Sequence, residues 1–356
     1  EEFIRDIIIM NTQFEEPEFI LKDNCLYRRI IFFTERKISI MLKNKTIQPQ
    51  NNVSEGIISF IDNTYLDTDQ RNAVIGMIKN NISILTGGPG TGKTSTINIL
   101  CKALRKMGKT FLLSAPTGRA SKRMSEATGK EAKTIHRLLE YKPMGQIGKF
   151  LKDENYPLQA DYVIIDETSM LDVFLMNSLL KAIKPSTSLI FVGDVNQLPS
   201  ISMGSILRDL KDSGQIPVFE LTKIHRQGKE SQIILNADNV NNNKPIECKT
   251  KSDFAFRNIK SRDTMIKIFE SSISKNSEFQ VLCPMKIGEF GTESINNYLQ
   301  SRLNPDSLNK NSIFIYNKLF REGDKVIQLE NDYNKEVYNG EMGVISKITD
   351  SEVIIE

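Results

Sequence analysis

Cysteine is sparse. Cys25, Cys101, Cys248 and Cys283 are the only four among 356 residues, and no two form a C-x-x-C pair. That spacing excludes a zinc ribbon and a disulfide framework. Reduced thiols, as expected of a cytoplasmic protein, remain. Long apolar runs are missing too: nothing approaches the ~18 consecutive apolar residues of a membrane helix. The short run Phe3–Met10 is broken by Arg5 and Asp6, which excludes a secretory signal. No membrane partner is expected. Strong charge of either sign is absent as well. The net charge of +3 permits a nucleic-acid partner without demanding one. Because the chain begins at Glu1 rather than Met, it is expected to be a fragment or a processed form.

What is present is a globular composition, 39% hydrophobic and 26% charged, long enough for two or three domains. Residues 1–62 read as a small, mainly helical region. Within it, Tyr27–Leu42 carries apolar positions at helical spacing with basic residues between. From 63 to 227, four short apolar runs alternate with helical stretches, at 82–85, 110–113, 162–165 and 188–192. They lack a polar face, as strands covered on both sides do. The rhythm predicts an α/β domain with a parallel sheet, whose ligands bind beyond the carboxyl ends of the strands. Pro143–Pro157 interrupts it as a polar insertion or hairpin, within about 141–158. Residues 228–322 read as part of a second α/β unit, with a strand expected at Phe279–Cys283 after the Asn-rich loop Asn239–Lys251. Residues 323–356 read as a small β module, with strands at Asp324–Leu329, Gly343–Ile348 and Glu352–Ile355.

Gly87–Thr94 reads GGPGTGKT, between an apolar strand and a helical pattern. It fits G-x-x-x-x-G-K-[ST], a loop whose backbone N–H groups cradle phosphates at a helix N-terminus. The expected nucleotide contacts are Gly88, Pro89, Gly90, Thr91, Gly92, Lys93, Thr94 and Ser95. Lys93 should reach the β- and γ-phosphates of ATP, and the Thr94 hydroxyl should hold Mg²⁺. Tyr162–Glu167 reads YVIIDE, an apolar strand ending in two acids. Asp166 is the expected Mg²⁺ ligand, directly or through water, and Glu167 the group that orients or deprotonates the attacking water.

Five further motifs sit at or near strand ends. In FVGDVNQLP, Asp194 and Gln197 are placed to face the γ-phosphate, with Gln197 suited to sensing it. In LDTDQRNAV, Gln70 has the donor and acceptor that match the edge of adenine. In APTGRASKRM, Thr117, Gly118 and Arg119 are candidates for backbone phosphates of a nucleic acid; His136, in TIHRL, is a candidate for the same strand. In LTKIHRQ, Arg226 is a candidate arginine finger.

Taken in order, LDTDQRNAV, GGPGTGKT, APTGRASKRM, TIHRLL, VIIDETSML, FVGDVNQLPS and LTKIHRQ resemble the RecD/TraA family of superfamily 1 DNA helicases. The likeness runs from about residue 66 to the end. It implies two RecA-like motor domains, the second only partial here. It also implies ATP-driven 5′→3′ movement on single-stranded DNA, duplex separation at junctions, and partners in recombination or repair. The Pro143–Pro157 insertion falls where the family carries its strand-splitting hairpin, and residues 323–356 where an SH3-like insertion starts. The family's last motifs do not occur in the sequence. Residues 1–356 alone are therefore expected to bind nucleotide but to hydrolyse it slowly. Two other readings stay open on the residues alone: an ATP-binding subunit with a structural role in a recombination nuclease, and a P-loop enzyme unrelated to DNA.

Overall fold

The computed structural model describes residues 18–142, 148–223, 231–248, 253–259, 261–273, 279–330, 332, 335, 337, 339–349 and 351–356. The chain divides into two compact units, Glu1–Lys229 and Glu230–Glu356.

The first unit opens with a hairpin absent from the sequence reading, β1 (Phe19–Lys22) paired antiparallel with β2 (Cys25–Arg28). Asp23 and Asn24 make its turn with φ of 49° and 62°, the left-handed values a two-residue hairpin turn needs. Helix α1 (Arg29–Thr46) buries Ile31, Thr34, Ile38, Leu42 and Lys45, a single stripe at three- and four-residue spacing. Helices α2 (Glu55–Asp62) and α3 (Thr68–Lys79) follow. The core alternates β3 (Ile82–Gly87), α4 (Lys93–Lys106), β4 (Phe111–Ala115), α5 (Gly118–Thr128), β5 (Ala132–Thr134) and α6 (Ile135–Leu138). A two-residue ladder, β6 (Tyr141–Lys142) with β7 (Lys149–Phe150), then frames the insertion. The core resumes with β8 (Tyr162–Ile165), α7 (Val173–Lys181), β9 (Ser188–Gly193), α8 (Ile206–Asp212) and β10 (Val218–Leu221).

Six strands form one sheet in the order β10-β3-β9-β8-β4-β5, and every neighbouring pair is parallel. The expected α/β layers are therefore present, with β5 and β10 as edge strands that the apolar-run criterion passes over. The side chains of β8 and β9 explain the missing polar face. Tyr162, Ile164, Ile190 and Val192 enter one core with Met77, Leu100 and Leu104; Val163, Ile165, Leu189 and Phe191 enter the other with Met176 and Leu179. Alternate residues point to opposite faces, and both faces are covered by helices.

Two polar devices hold this sheet to its surroundings. Lys45, 5% exposed, donates from Nζ to the carbonyls of Lys184 at 3.0 Å, Pro185 at 3.5 Å and Thr187 at 2.6 Å. Burial pushes its ammonium down to about 8. At the entry edge, the Asp161 carboxylate accepts from the Thr110 N–H at 2.8 Å and the Thr110 hydroxyl at 2.7 Å, tying the start of β8 to the start of β4.

In the second unit, helices α9 (Gln232–Asn241), α10 (Arg262–Ile273) and α11 (Thr292–Leu303) precede a hairpin, β11 (Ser312–Ile315) with β12 (Lys318–Arg321). An antiparallel sheet of β13 (Lys325–Ile327), β14 (Met342–Ile348) and β15 (Val353–Ile355) follows, with an irregularity between Ile345 and Lys347. The β structure thus begins about ten residues before the expected boundary at 323. Phe279–Cys283, expected as a strand, lies in irregular backbone. An apolar run becomes a strand only where a neighbour completes its hydrogen-bond ladder, and among the described residues none pairs with it. No described helix is long and apolar enough to cross a membrane.

Two outcomes follow. Lys45→Met keeps the length of the side chain but strips three carbonyls of their donor. It is expected to cost about 1–3 kcal/mol, read by urea unfolding. For Asp161, the hydrogen bonds from Thr110 hold the carboxyl below its ordinary value, with Lys109 assisting. A depressed folded-state value means that the contribution is present above the usual carboxylate pKa and is lost as pH falls through the folded one. Asp161→Asn should flatten that acid limb of a stability-against-pH curve; an unchanged limb would refute the assignment.

Candidate active site

Parallel pairing brings the exits of β10, β3, β9, β8 and β4 to one edge of the sheet. Thr86 is opposite Gly193, Gly87 opposite Leu221, and Ile165 opposite both Phe191 and Ser114. Residues Gly88–Gly92, Asp166–Glu167, Asp194–Gln197 and Thr117–Arg119 all leave from that edge.

The loop after β3 is shaped by glycine. Gly90 and Gly92 have φ of 80° and 88°, which other residues rarely adopt. Gly92 caps α4 without a side-chain partner, so the first N–H groups of the helix face the loop. Gly87 is required by space: a Cβ there would stand 2.6 Å from the Leu221 carbonyl oxygen and 2.7 Å from Thr91 Oγ1. The Thr91 hydroxyl donates to the Gly88 carbonyl at 2.9 Å, closing the loop on itself. Lys93 Nζ donates to the carbonyls of Gly87 and Gly88. Burial lowers its pKa, and the nearby charges of Asp194, Asp166 and Glu167 oppose that shift.

Asp166 and Glu167 follow β8 directly. The Asp166 N–H donates to Ser114 O at 2.9 Å, and its carboxylate accepts from the Glu167 N–H at 2.9 Å. Glu167 has φ 51° and ψ 41°, a left-handed conformation that costs a non-glycine residue roughly 1–2 kcal/mol. Such strain concentrates at functional positions. Burial raises the pKa of both carboxyls, and Asp166 adds to the effect on Glu167 while Lys93 and Arg123 oppose it. Asp194, 5% exposed, accepts from the Asn196 N–H at 2.9 Å and fixes the turn that leads to Gln197.

A cavity of about 360 Å³ gathers Thr94, Asp166, Glu167 and Gln197 with Thr117, Arg119 and Arg123. Thr117 caps α5, its hydroxyl accepting from the Ala120 N–H at 3.3 Å, and Gly118 is buried behind it. Thr117 and Arg119, assigned by sequence to a nucleic-acid strand, thus also line the cavity of the phosphate loop. His136 does not. Its ring meets Tyr141 edge-on at 5.5 Å and packs at a tilt against Phe150 at 5.6 Å, at the base of the β6–β7 ladder. Burial lowers its pKa, with Asp172 opposing. Gln70 is 4% exposed and its amide is engaged within the protein. The two ends of that amide meet the Asp67 N–H and the Thr91 carbonyl. Arg226 lies outside the described residues.

The donors that converge here are hard oxygens, a hydroxyl and two carboxylates, of the kind that suits Mg²⁺. Among the described residues no cluster of three or more His, Cys, Asp or Glu could hold a metal by itself. Thr94 and Asp166 therefore fit a cation whose remaining ligands come from phosphate and water.

A profile of the AAA domain matches residues 70–203, and a profile of the ATP-dependent RecD-like DNA helicase SH3 domain matches residues 295–356. The chain belongs to the RecD-like helicase family. It is 32% identical to the ATP-dependent RecD2 DNA helicase of Deinococcus radiodurans, over 82% of this chain and 40% of that protein. It is 28% identical to the RecBCD enzyme subunit RecD of Buchnera aphidicola subsp. Schizaphis graminum, over 77% of this chain and 58% of that subunit. It thus spans roughly half the length of these relatives. A Pif1 helicase, solved in work on DNA unwinding at forked duplex DNA, shares the fold with a TM-score of 0.51 at 20% identity, over 82% of this chain and 74% of that one.

Two residues at this site went unassigned by sequence reasoning. Arg123 lies four residues after Arg119, one helical turn on, and that spacing was the available signal. Gly87 opens the phosphate-loop motif, but its need for space shows only once β10 is alongside. Gly87→Ala is expected to weaken nucleotide binding by at least ~10-fold, because the atoms it meets include backbone. Titration with a fluorescent ATP analogue checks this; unchanged affinity would show that the loop yields.

Proposed function

We propose that this chain carries the ATP-hydrolysing motor of a DNA helicase that moves 5′→3′ along single-stranded DNA and separates duplex at junctions in the cytoplasm, in recombination or repair. The observation that carries the reading is the single cavity in which Thr94, Asp166, Glu167 and Gln197 meet Thr117 and Arg119. One wall is nucleotide chemistry and the other is the helix assigned to the DNA backbone. A phosphate-loop enzyme acting on a small molecule would have no use for the second wall.

In this proposal the loop N–H groups and the N-terminus of α4 hold the triphosphate, and Lys93 leaves the Gly87 and Gly88 carbonyls to meet the β- and γ-phosphates. Thr94 and Asp166 would hold Mg²⁺, which neutralises charge on the phosphate oxygens. Glu167, at the strained exit of β8, orients the attacking water and takes its proton. Gln197, on the turn fixed by Asp194, senses the γ-phosphate, and Arg226 supplies positive charge in the transition state. Thr117, Gly118 and Arg119 follow the DNA backbone at the N-terminus of α5. Contacts of that kind position a strand without reading its sequence. His136 would act on DNA only through the hairpin base that it packs. Structural membership of a recombination complex is the alternative role.

ATP hydrolysis with and without single-stranded DNA, by residues 1–356 joined to the family's last motifs, tests the reading. DNA-stimulated turnover is expected, and Lys93→Ala should reduce it on the order of 10²–10³-fold. Turnover indifferent to DNA would remove the motor assignment.

A further inference from the structure

Arg123 stands on α5, about one turn beyond Arg119. The next residue, Met124, is 3% exposed and belongs to the core that holds Leu100 and Leu104, which fixes the rotation of the helix. Both ends of α5 are tied down. The Thr117 hydroxyl caps the first turn, and the Gly129 N–H, at φ 62°, donates to the Ser125 carbonyl at 2.9 Å. The core side of α5 is thus set, and the exposed Arg123 is held at the wall of the cavity that also contains Glu167.

Glu167 is engaged through its backbone alone. Its N–H donates to the Asp166 carboxylate at 2.9 Å, and its carbonyl accepts from the Met170 N–H at 3.1 Å. Among the described residues its carboxylate has neither a hydrogen bond nor an ion pair, and the same holds for the Arg123 guanidinium; the two share the cavity without touching. Four charges act on that carboxylate. Asp166 at the exit of β8 and Asp194 at the exit of β9 repel it, while Lys93 on α4 and Arg123 on α5 attract it. In the function proposed above, Lys93 turns to the phosphates of the nucleotide. Of the four, Arg123 is then the cation left to draw Glu167 into the cavity against two like charges.

We propose that Arg123 is a positioning residue for Glu167, its charge holding the carboxylate over the place of the attacking water. The proposal rests on the hydrolytic reading given above and gives α5 a part in it that is separate from the nucleic-acid wall. The strained backbone of Glu167 sets where the side chain starts, and the guanidinium sets where it ends.

Single-turnover hydrolysis tests the proposal, with residues 1–356 joined to the family's last motifs, in excess over ATP and at saturating single-stranded DNA. Arg123→Gln should slow the hydrolysis step roughly 10- to 100-fold, a share of the ~10²–10⁴-fold that a positioned base supplies. Affinities for a fluorescent ATP analogue and for DNA should stay within about twofold of wild type. Arg123→Lys keeps the charge and should recover most of the rate. In a Glu167→Gln background, Arg123→Gln should slow hydrolysis no further, because a residue that acts through Glu167 has nothing left to act on. Weaker ATP binding with an unchanged hydrolysis step would assign the guanidinium to the phosphates, and weaker DNA binding alone would assign it to the nucleic-acid wall. A further loss in the Glu167→Gln background would give Arg123 a role of its own. Each of these overturns the proposal, as does a wild-type rate in Arg123→Gln. A wild-type chain that does not hydrolyse ATP would instead bring down the proposed function, and this proposal with it.

Discussion

Parallel strand pairing in register is the constraint on which the rest of the first unit depends. Each motif segment leaves the end of a strand, so the convergence of Lys93, Asp166, Asp194 and Thr117 is set by the ladders behind them. The Ile84–Phe191 and Ile164–Ile190 pairings, deep in the sheet, decide where the carboxylates emerge relative to the phosphate loop. A slip of one residue would exchange the two faces of a strand. With Val163 and Ile164 in different cores, that exchange would disrupt both at once. The precision of the site is therefore maintained by two hydrophobic cores rather than by contacts among its own polar groups.

The polar groups in turn oppose one another. Lys93 is drawn from water among three carboxylates, and two of those carboxylates are themselves held partly out of water. Neither sign of charge is comfortable alone, and the arrangement suits a ligand that brings both phosphate and a cation. The left-handed backbone of Glu167 fits the same pattern. It is sustained by the 3₁₀ turn that follows and by the Thr168 hydroxyl bonded to the Ile165 carbonyl at 3.0 Å.

Much of this was legible in the sequence, for reasons that differ by residue. The four central strands declared themselves because both of their faces are apolar. The phosphate loop declared itself because glycine, lysine and threonine at fixed spacing answer one chemical demand. Gln70 carries two readings, because D-x-x-Q is a capping box as well as a candidate base reader, and an amide offers the same donor and acceptor to either. His136 gained its setting from Tyr141 and Phe150, which approach it only when the β6–β7 ladder closes. The β1–β2 hairpin was signalled by Asp23-Asn24 between two apolar runs, a cue lost beside the stronger helical pattern of α1. In the second unit, Phe279–Cys283 has strand composition without a pairing partner, and composition cannot supply one.

The lysine of the phosphate loop is already occupied. Its ammonium rests on the Gly87 and Gly88 carbonyls, so the loop is stocked with an internal surrogate for its ligand. On the proposed function, nucleotide entry would be an exchange reaction and not an addition, and measured affinity would report the difference between two sets of contacts. On the same reading release would run the exchange backwards, the carbonyls recapturing the ammonium as phosphate departs.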